Sequence, residues 1–491
     1  MTIDYYAIRT ALGSLDAAAA HLASGEGRPQ VQEIFSPEQH AGALDPNVTI
    51  VLGARGSGKT FWTGVLGSVE TRTAAADAYP HLGLTRVDVS LGYSGLAHDG
   101  SVSRQTIDSR VPVGEEPTRG VLLWRCVVLR AMHKALSAET ANLTIGEMME
   151  HYSDPELWER DSYAADNMLL DKGLTVIVLF DALDSLSSDW ERLRRLIDSL
   201  LEVAWYARSS RSLRVKLFLR PDQMSDLGLR FVELPKLLAG AARLTWNPTD
   251  LYGMFFQRLG SFTELKGRDS FFELLREESV PPPPLDIASR RRWPLSRDKS
   301  VQARVFQRIA GLYMGANSKK GRTYDWPLRH LADGHGDVTP RSFLTLMIEA
   351  ARVTTSPPNQ VISAEGIRHG LRQASRVRVD QLDLEFPWIK RVLAPLSRLT
   401  VPCSETAITS RWRETETLEA IARRASEGNF LPPFKKTAEE GQQRETQMIE
   451  SLVRIGVLVQ RADFRFDMPD LFRVAARLLK KGGVTPHRPE I

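Results

Sequence analysis

The chain has 491 residues and a formal net charge of +4; 42% of residues are hydrophobic, 25% are charged, and only two are cysteines. That apolar share can fill large cores, and the length suggests about three domains. Cys126 and Cys403 cannot staple a small secreted fold and no Cys/His cluster has zinc spacing, so a disulfide scaffold and a zinc-finger array are excluded.

The N-terminus lacks a basic stretch followed by an apolar core, and no window of about 18 residues is continuously apolar. A cytoplasmic chain without membrane segments is expected. Leu12, Leu15, Ala18, Ala19 and Leu22 fall at helical spacing, and Gly25-Glu26-Gly27-Arg28-Pro29 stops the pattern. From Val48 the grammar changes. Val48 to Leu52 is a short β-branched apolar run, with a glycine-rich loop directly after it. Further strands are predicted at Arg86 to Ser90, Leu174 to Phe180, Arg214 to Leu219 and Ala242 to Trp246. Helical patterns lie between them at Phe61 to Glu70, Val121 to Ala135 and Trp190 to Tyr206. This alternation predicts an α/β fold with a parallel sheet covered on both faces. Residues 91–120, rich in Gly, Ser and Pro, read as a loop or insertion.

After residue 247 the strand signals stop. Helices are predicted at Leu251 to Leu259, Ser270 to Glu278, Val301 to Met314, Arg341 to Val353 and Ala364 to Ala374. The run Pro281-Pro282-Pro283-Pro284 forces an extended interval among them. Near the C-terminus, a helix at Thr446 to Ile455 precedes two short strands, Val457 to Gln460 and Phe464 to Met468. Pro469 then opens another helix. Helix followed by a two-strand wing is the winged-helix pattern. The expected domains are therefore 1–34, an N-terminal helix and linker; 35–250, a nucleotide-binding core; 251–380, an all-helical lid; and 381–491, a winged helix.

The strongest motif is Gly53-Ala54-Arg55-Gly56-Ser57-Gly58-Lys59-Thr60, which fits G-x-x-x-x-G-K-[ST] between a strand and a helix. Its glycines let backbone N–H groups turn toward a phosphate, and the following helix adds its positive end. Lys59 is placed to reach the β- and γ-phosphates of a bound nucleotide, and the Thr60 hydroxyl to ligate Mg²⁺. A buried strand, Thr175 to Phe180, runs into Asp181, which suits the second Mg²⁺ contact. Ala182 follows, where many P-loop motors carry a glutamate, and Asp184 comes two places on.

Phe180-Asp181-Ala182-Leu183-Asp184 resembles the modified Walker B segment of the NACHT and wider STAND class of signalling ATPases. Lys216-Leu217-Phe218-Leu219-Arg220 is similar to the sensor strand of STAND and AAA+ proteins. That resemblance implies that Arg220 reads a γ-phosphate in cis or reaches a neighbour's nucleotide. Gly336-Asp337-Val338-Thr339-Pro340-Arg341 is similar to the sensor 2 region of AAA+ and origin-recognition-like ATPases, with Arg341 at a helix start. The plainer alternatives are a turn arginine at Arg220 and a solvated cap residue at Arg341. By resemblance, Asp181, Asp184, Arg220 and Arg341 form the catalytic set, and the chain is a slow ATPase. By the resemblance, with no STAND effector or repeat-sensor pattern read in the sequence, a partner effector subunit and homo-oligomerisation are expected, as in bacterial antiphage or conflict systems.

Residues 285–325 carry seven net positive charges, leaving −3 for the rest of the chain. Arg290, Arg291, Arg292, Lys319, Lys320 and Arg322 are the candidates for nucleic-acid contact. With the winged helix they motivate one alternative, a DNA-associated AAA+ loader or remodeller; a second alternative is a non-catalytic adaptor stabilised by nucleotide.

Overall fold

The computed structural model describes residues 2–16, 28–96, 100–226, 229–353, 357–428, 430 and 444–486. They form two compact units. One contains the described residues between Ala20 and Thr245, with Asp286–Ala288; the other contains those of Met1–Ala19, Trp246–Leu285 and Ser289–Ile491.

The first unit is built on five parallel strands: β1 (Ile50–Leu52), β2 (Val87–Tyr93), β3 (Thr175–Phe180), β4 (Leu213–Leu219) and β5 (Ala242–Arg243). Their order is β2-β3-β4-β1-β5. All five strand expectations correspond to these elements. β3 shows why the run is apolar throughout: Val176, Val178 and Phe180 enter one core with Trp124 and Leu196, while Ile177 and Leu179 enter the other with Trp62 and Val65. A strand with helices on both faces has no solvent side, so it does not alternate with polar residues.

The helical expectations here are met with shifted bounds. Val121–Leu136 and Trp190–Tyr206 are single helices. The pattern at Phe61 to Glu70 instead divides into Lys59–Gly67 and Val69–Ala78, because Ser68 is extended between them. Residues 91–120 are more ordered than a loop. β2 runs on to Tyr93, and a helix follows at Arg104–Arg110 with Ser103 as its cap. Glu116, fully buried, lies 2.9 Å from Arg192 and 3.0 Å from Arg195, which ties the segment to the Trp190–Tyr206 helix.

The second unit is helical, as expected after residue 247. Pro248–Gly260, Leu265–Glu277, Lys299–Ala310, Pro340–Arg352 and Ala364–Glu385 are its main helices. The N-terminal helix, Tyr5–Ser14, belongs here and packs on Leu265–Glu277 and Pro340–Arg352. Ala18, Ala19, Leu22 and Gly25 to Gly27 lie outside the described residues. Tyr252 stacks on Tyr324 at 4.0 Å between ring centres, forming an aromatic core with Phe306 and Phe343. Toward the C-terminus stand the helix Arg444–Arg454 and an antiparallel pair, Val459–Gln460 with Phe466–Asp467, matching the helix and hairpin expected there. No helix among the described residues is long and apolar enough to cross a membrane.

Candidate functional site

The strand order decides where the motifs meet. β3, β4 and β1 are neighbours, so the segments leaving their C-terminal ends lie side by side. Asp181 follows β3, Arg220 follows β4 and Gly53 follows β1. A parallel sheet gathers residues from distant parts of a sequence in this way, at the ends of its strands.

The Gly53–Thr60 loop is shaped by sterics. Gly53 N–H still bonds Leu219 C=O at 3.0 Å, which holds the loop start against β4. A Cβ on Gly53 would sit 2.3 Å from Ser57 Oγ and 3.2 Å from Lys59 Cγ, so no side chain fits there. Gly56 and Gly58 have φ of +83° and +106°, which residues with a side chain rarely adopt. The helix Lys59–Gly67 starts immediately after. Lys59 Nζ donates to the carbonyls of Gly53 at 2.7 Å and Ala54 at 3.2 Å, so its ammonium is folded back over the loop.

Asp181 is 2% exposed and its N–H bonds Tyr93 C=O at 2.9 Å. Burial raises its pKa above the usual carboxylate range, while a hydrogen bond from the Thr60 hydroxyl and the nearby Lys59 ammonium pull it down. A hydroxyl and a carboxylate in contact beside the loop are a hard-oxygen pair that suits Mg²⁺, an ion that commonly takes its other ligands from water and phosphate. Among the described residues no three His, Cys, Asp or Glu side chains cluster as a larger metal site.

Ala182 adopts left-handed geometry, with φ of +52° and ψ of +34°. Its Cβ packs where a Cβ on Gly95 would come within 3.2 Å. The turn leaves Ala182 half-buried beside Gly95. It carries the chain to Asp184, whose Oδ2 meets Arg55 at 3.0 Å and Arg220 at 2.9 Å. The sequence reading placed Arg220 and Asp184 at the site but gave Arg55 only a place in the loop. Its pairing with Asp184 spans 129 positions, and no local pattern signals it.

The structure brings together Gly53 to Thr60, Asp181, Asp184 and Arg220. Arg341 belongs to the other unit. There Thr339 caps the helix through its Oγ1, 3.2 Å from Ser342 N, Pro340 is the first helical residue, and Arg341 is half-buried just behind it.

The basic segment 285–325 does not form one patch. Arg290 is buried, with its guanidinium on the carbonyls of Pro284 and Leu285 at 3.0 and 2.8 Å. This removes it from the set of candidate nucleic-acid contacts. Arg304 and Arg308 pair with Glu278. Arg291 is half-buried. Arg292, Lys319, Lys320 and Arg322 remain exposed.

No protein-family model matches this chain, and no curated protein matches it. Among solved structures it is similar to the Aeropyrum pernix ORC2 protein, solved in ADPNP-ADP complexes. The identity is 11% and the TM-score 0.31, over 92% of this chain and 94% of that one.

Proposed function

We propose that this chain binds ATP with Mg²⁺ and hydrolyses it slowly, acting as a nucleotide-dependent switch for a partner protein. The observation that carries this reading is the Asp184 ion pair with Arg55 and Arg220, next to the Gly53–Thr60 loop and Asp181. Gly53, Gly56 and Gly58 keep the loop open for a phosphate chain, and Lys59 exchanges carbonyl contacts for phosphate. Thr60 and Asp181 would hold a magnesium ion, which would neutralise phosphate charge.

Slow hydrolysis follows from two residues. Ala182 stands where many P-loop motors carry a water-polarising glutamate, and it cannot polarise water itself. Asp184 is the site's other carboxylate, but two guanidiniums share one of its oxygens. A γ-phosphate is a second anion that Arg220 and Arg55 can pair with. Binding ATP would then trade an internal ion pair for a ligand contact, which is what a switch needs.

The DNA-loader alternative has less support, because Arg290 is buried and Arg304 and Arg308 are paired with Glu278. The antiphage setting rests on the resemblance of Phe180 to Asp184 to the modified Walker B segment.

The test is a Mg²⁺-dependent phosphate-release assay on wild type, Lys59→Ala and Asp181→Asn. Wild type should turn over below the usual enzyme median of about 10 s⁻¹. Lys59→Ala should lose nucleotide binding. Asp181→Asn should bind nucleotide, keep its fold and lose turnover. Equal hydrolysis by all three would leave only a structural role for the site.

A further inference from the structure

A cleft of about 920 Å³ lies within the second unit and is lined by no residue of the P-loop motifs. We propose that it binds a nucleotide-class anion: a phosphate-bearing ligand whose base stacks on Trp326.

One wall is a loop that its own hydrogen bonds make rigid. After the helix Lys299–Ala310 the chain folds back, with Met314 N–H on Gly321 C=O at 2.9 Å and a bridge between Tyr313 and Arg322. Asn317 caps the turn between them through Lys319 N at 3.1 Å. This closure leaves the side chains of Lys319, Lys320 and Arg322 exposed at the cleft. The helix Trp326–Leu331 continues the wall. Trp326 and His330, four places apart, stack at 3.9 Å between ring centres. Trp326 is only partly buried, so indole surface remains on the cleft side. Arg329 is exposed on the same wall.

The opposite wall is the start of Ala364–Glu385. There Glu365 pairs with Arg368 at 3.1 Å and Arg372 at 3.2 Å. Residues 482–485 close a third side, tied down by Arg372 to Thr485 C=O at 3.3 Å and by Arg473 to Val484 C=O at 2.8 Å.

The charge balance identifies the ligand class. Two acids line the cleft. Glu365 is taken by Arg368 and Arg372, and Asp325 faces Lys299 at 4.0 Å. Lys319, Lys320, Arg322 and Arg329 have no acidic partner among the described residues. Four like charges around one concavity repel one another and focus a positive potential into it, which an anion relieves. The volume is in the upper part of the usual range for small-ligand sites, about 300–1,000 Å³. An aromatic plate beside cations is the arrangement that reads a base and its phosphate together. Free nucleotides and single-stranded ends share that chemistry.

The test uses the full chain carrying Lys59→Ala, so that the P-loop does not contribute. Binding of a fluorescein-labelled hexathymidylate is followed by anisotropy. The expected result is saturable binding, weakened by about tenfold or more in Lys320→Glu/Arg322→Glu and in Trp326→Ala, and retained in Trp326→Phe. Trp326→Phe also controls for folding, since it keeps a ring beside His330. Displacement by ATP would assign the site to free nucleotides, and displacement only by unlabelled strand to single-stranded ends. The proposal is overturned if hexathymidylate does not bind, if the double substitution changes nothing, or if Trp326→Ala has no effect and a hexaglutamate peptide displaces the probe as well as nucleotides do.

Discussion

Single residues in the first unit differ in what burial does for them. Asp181 is kept buried although burial works against its charge, so its place is hard to explain by stability. His40 is the contrasting case. It is fully buried, its Nδ1 accepts from Trp62 at 3.2 Å, and its Nε2 donates to Thr245 C=O at 2.9 Å. Burial lowers its pKa to about 4, only partly offset by the Thr245 carbonyl. The unfolded chain takes up a proton near the ordinary value of 6.5, while the folded chain resists it. Stability from this group is therefore complete above about 6.5, falls as pH drops, and is exhausted below about 4. The full shift corresponds to roughly 3 kcal/mol. Urea melts at about pH 7 and about pH 4.5 should show a larger loss for wild type than for His40→Gln, which has nothing to titrate there. Equal losses would mean that this ring does not set the acid limit.

At the scale of elements, the helices Pro340–Arg352 and Ala364–Glu385 are drawn together by glycines four places apart. A Cβ on Gly370 would lie 2.2 Å from Leu346 O, and one on Gly366 would lie 2.6 Å from Ala350 O. Alanine in a helix gains about 1 kcal/mol over glycine. Here the obstacle is a backbone carbonyl of a packed helix, and overpacking of this kind costs about 1–3 kcal/mol. The cost should win, so Gly370→Ala should lower the thermal midpoint; a raised midpoint would mean that the two helices separate easily. The glycine pair was visible in the sequence, but nothing local said which helix it faced.

The same limit explains what sequence reading reached elsewhere. Strands ending in a charge, such as Thr175 to Asp181, were legible because a doubly covered strand is continuously apolar. The helix Pro155–Asp171 was not among the expected elements. Its buried positions are Trp158, Ser162, Ala165, Asp166 and Leu169, and small or polar residues hide the stripe. Asp166 is buried because its carboxylate accepts the N–H groups of Arg211 and Ser212 at 2.9 and 2.8 Å. Lys216, fully buried in β4, likewise donates to the carbonyls of Asp45 and Val48 at 2.8 and 2.7 Å. Of the functional site, the loop and Asp181 were readable as motifs. The Arg55 contact was not, and of the basic cleft only Lys319, Lys320 and Arg322 were, because the rest joins segments far apart in the chain.

For the whole molecule, the proposed switch can be weighed by magnitude. Moving a population from about 1% to about 99% requires about 5.5 kcal/mol of differential binding. The pairs from Asp184 to Arg55 and Arg220 are partly exposed, and such pairs contribute about 1 kcal/mol or less each. Exchanging them for phosphate contacts therefore cannot supply the whole shift, and most of it must come from the loop, Lys59 and the magnesium pair. A graded outcome is expected in native mass measurements with and without ATP. Wild type should change assembly state with ATP, and Lys59→Ala should not change at any ATP concentration. Arg55→Ala and Arg220→Ala should still respond, with the half-point shifted to several-fold higher ATP. Abolition of the response by Arg220→Ala alone, with ATP affinity intact, would point instead to an arginine that reaches a neighbour's nucleotide. An unchanged wild-type mass would confine the nucleotide's effect to a single chain.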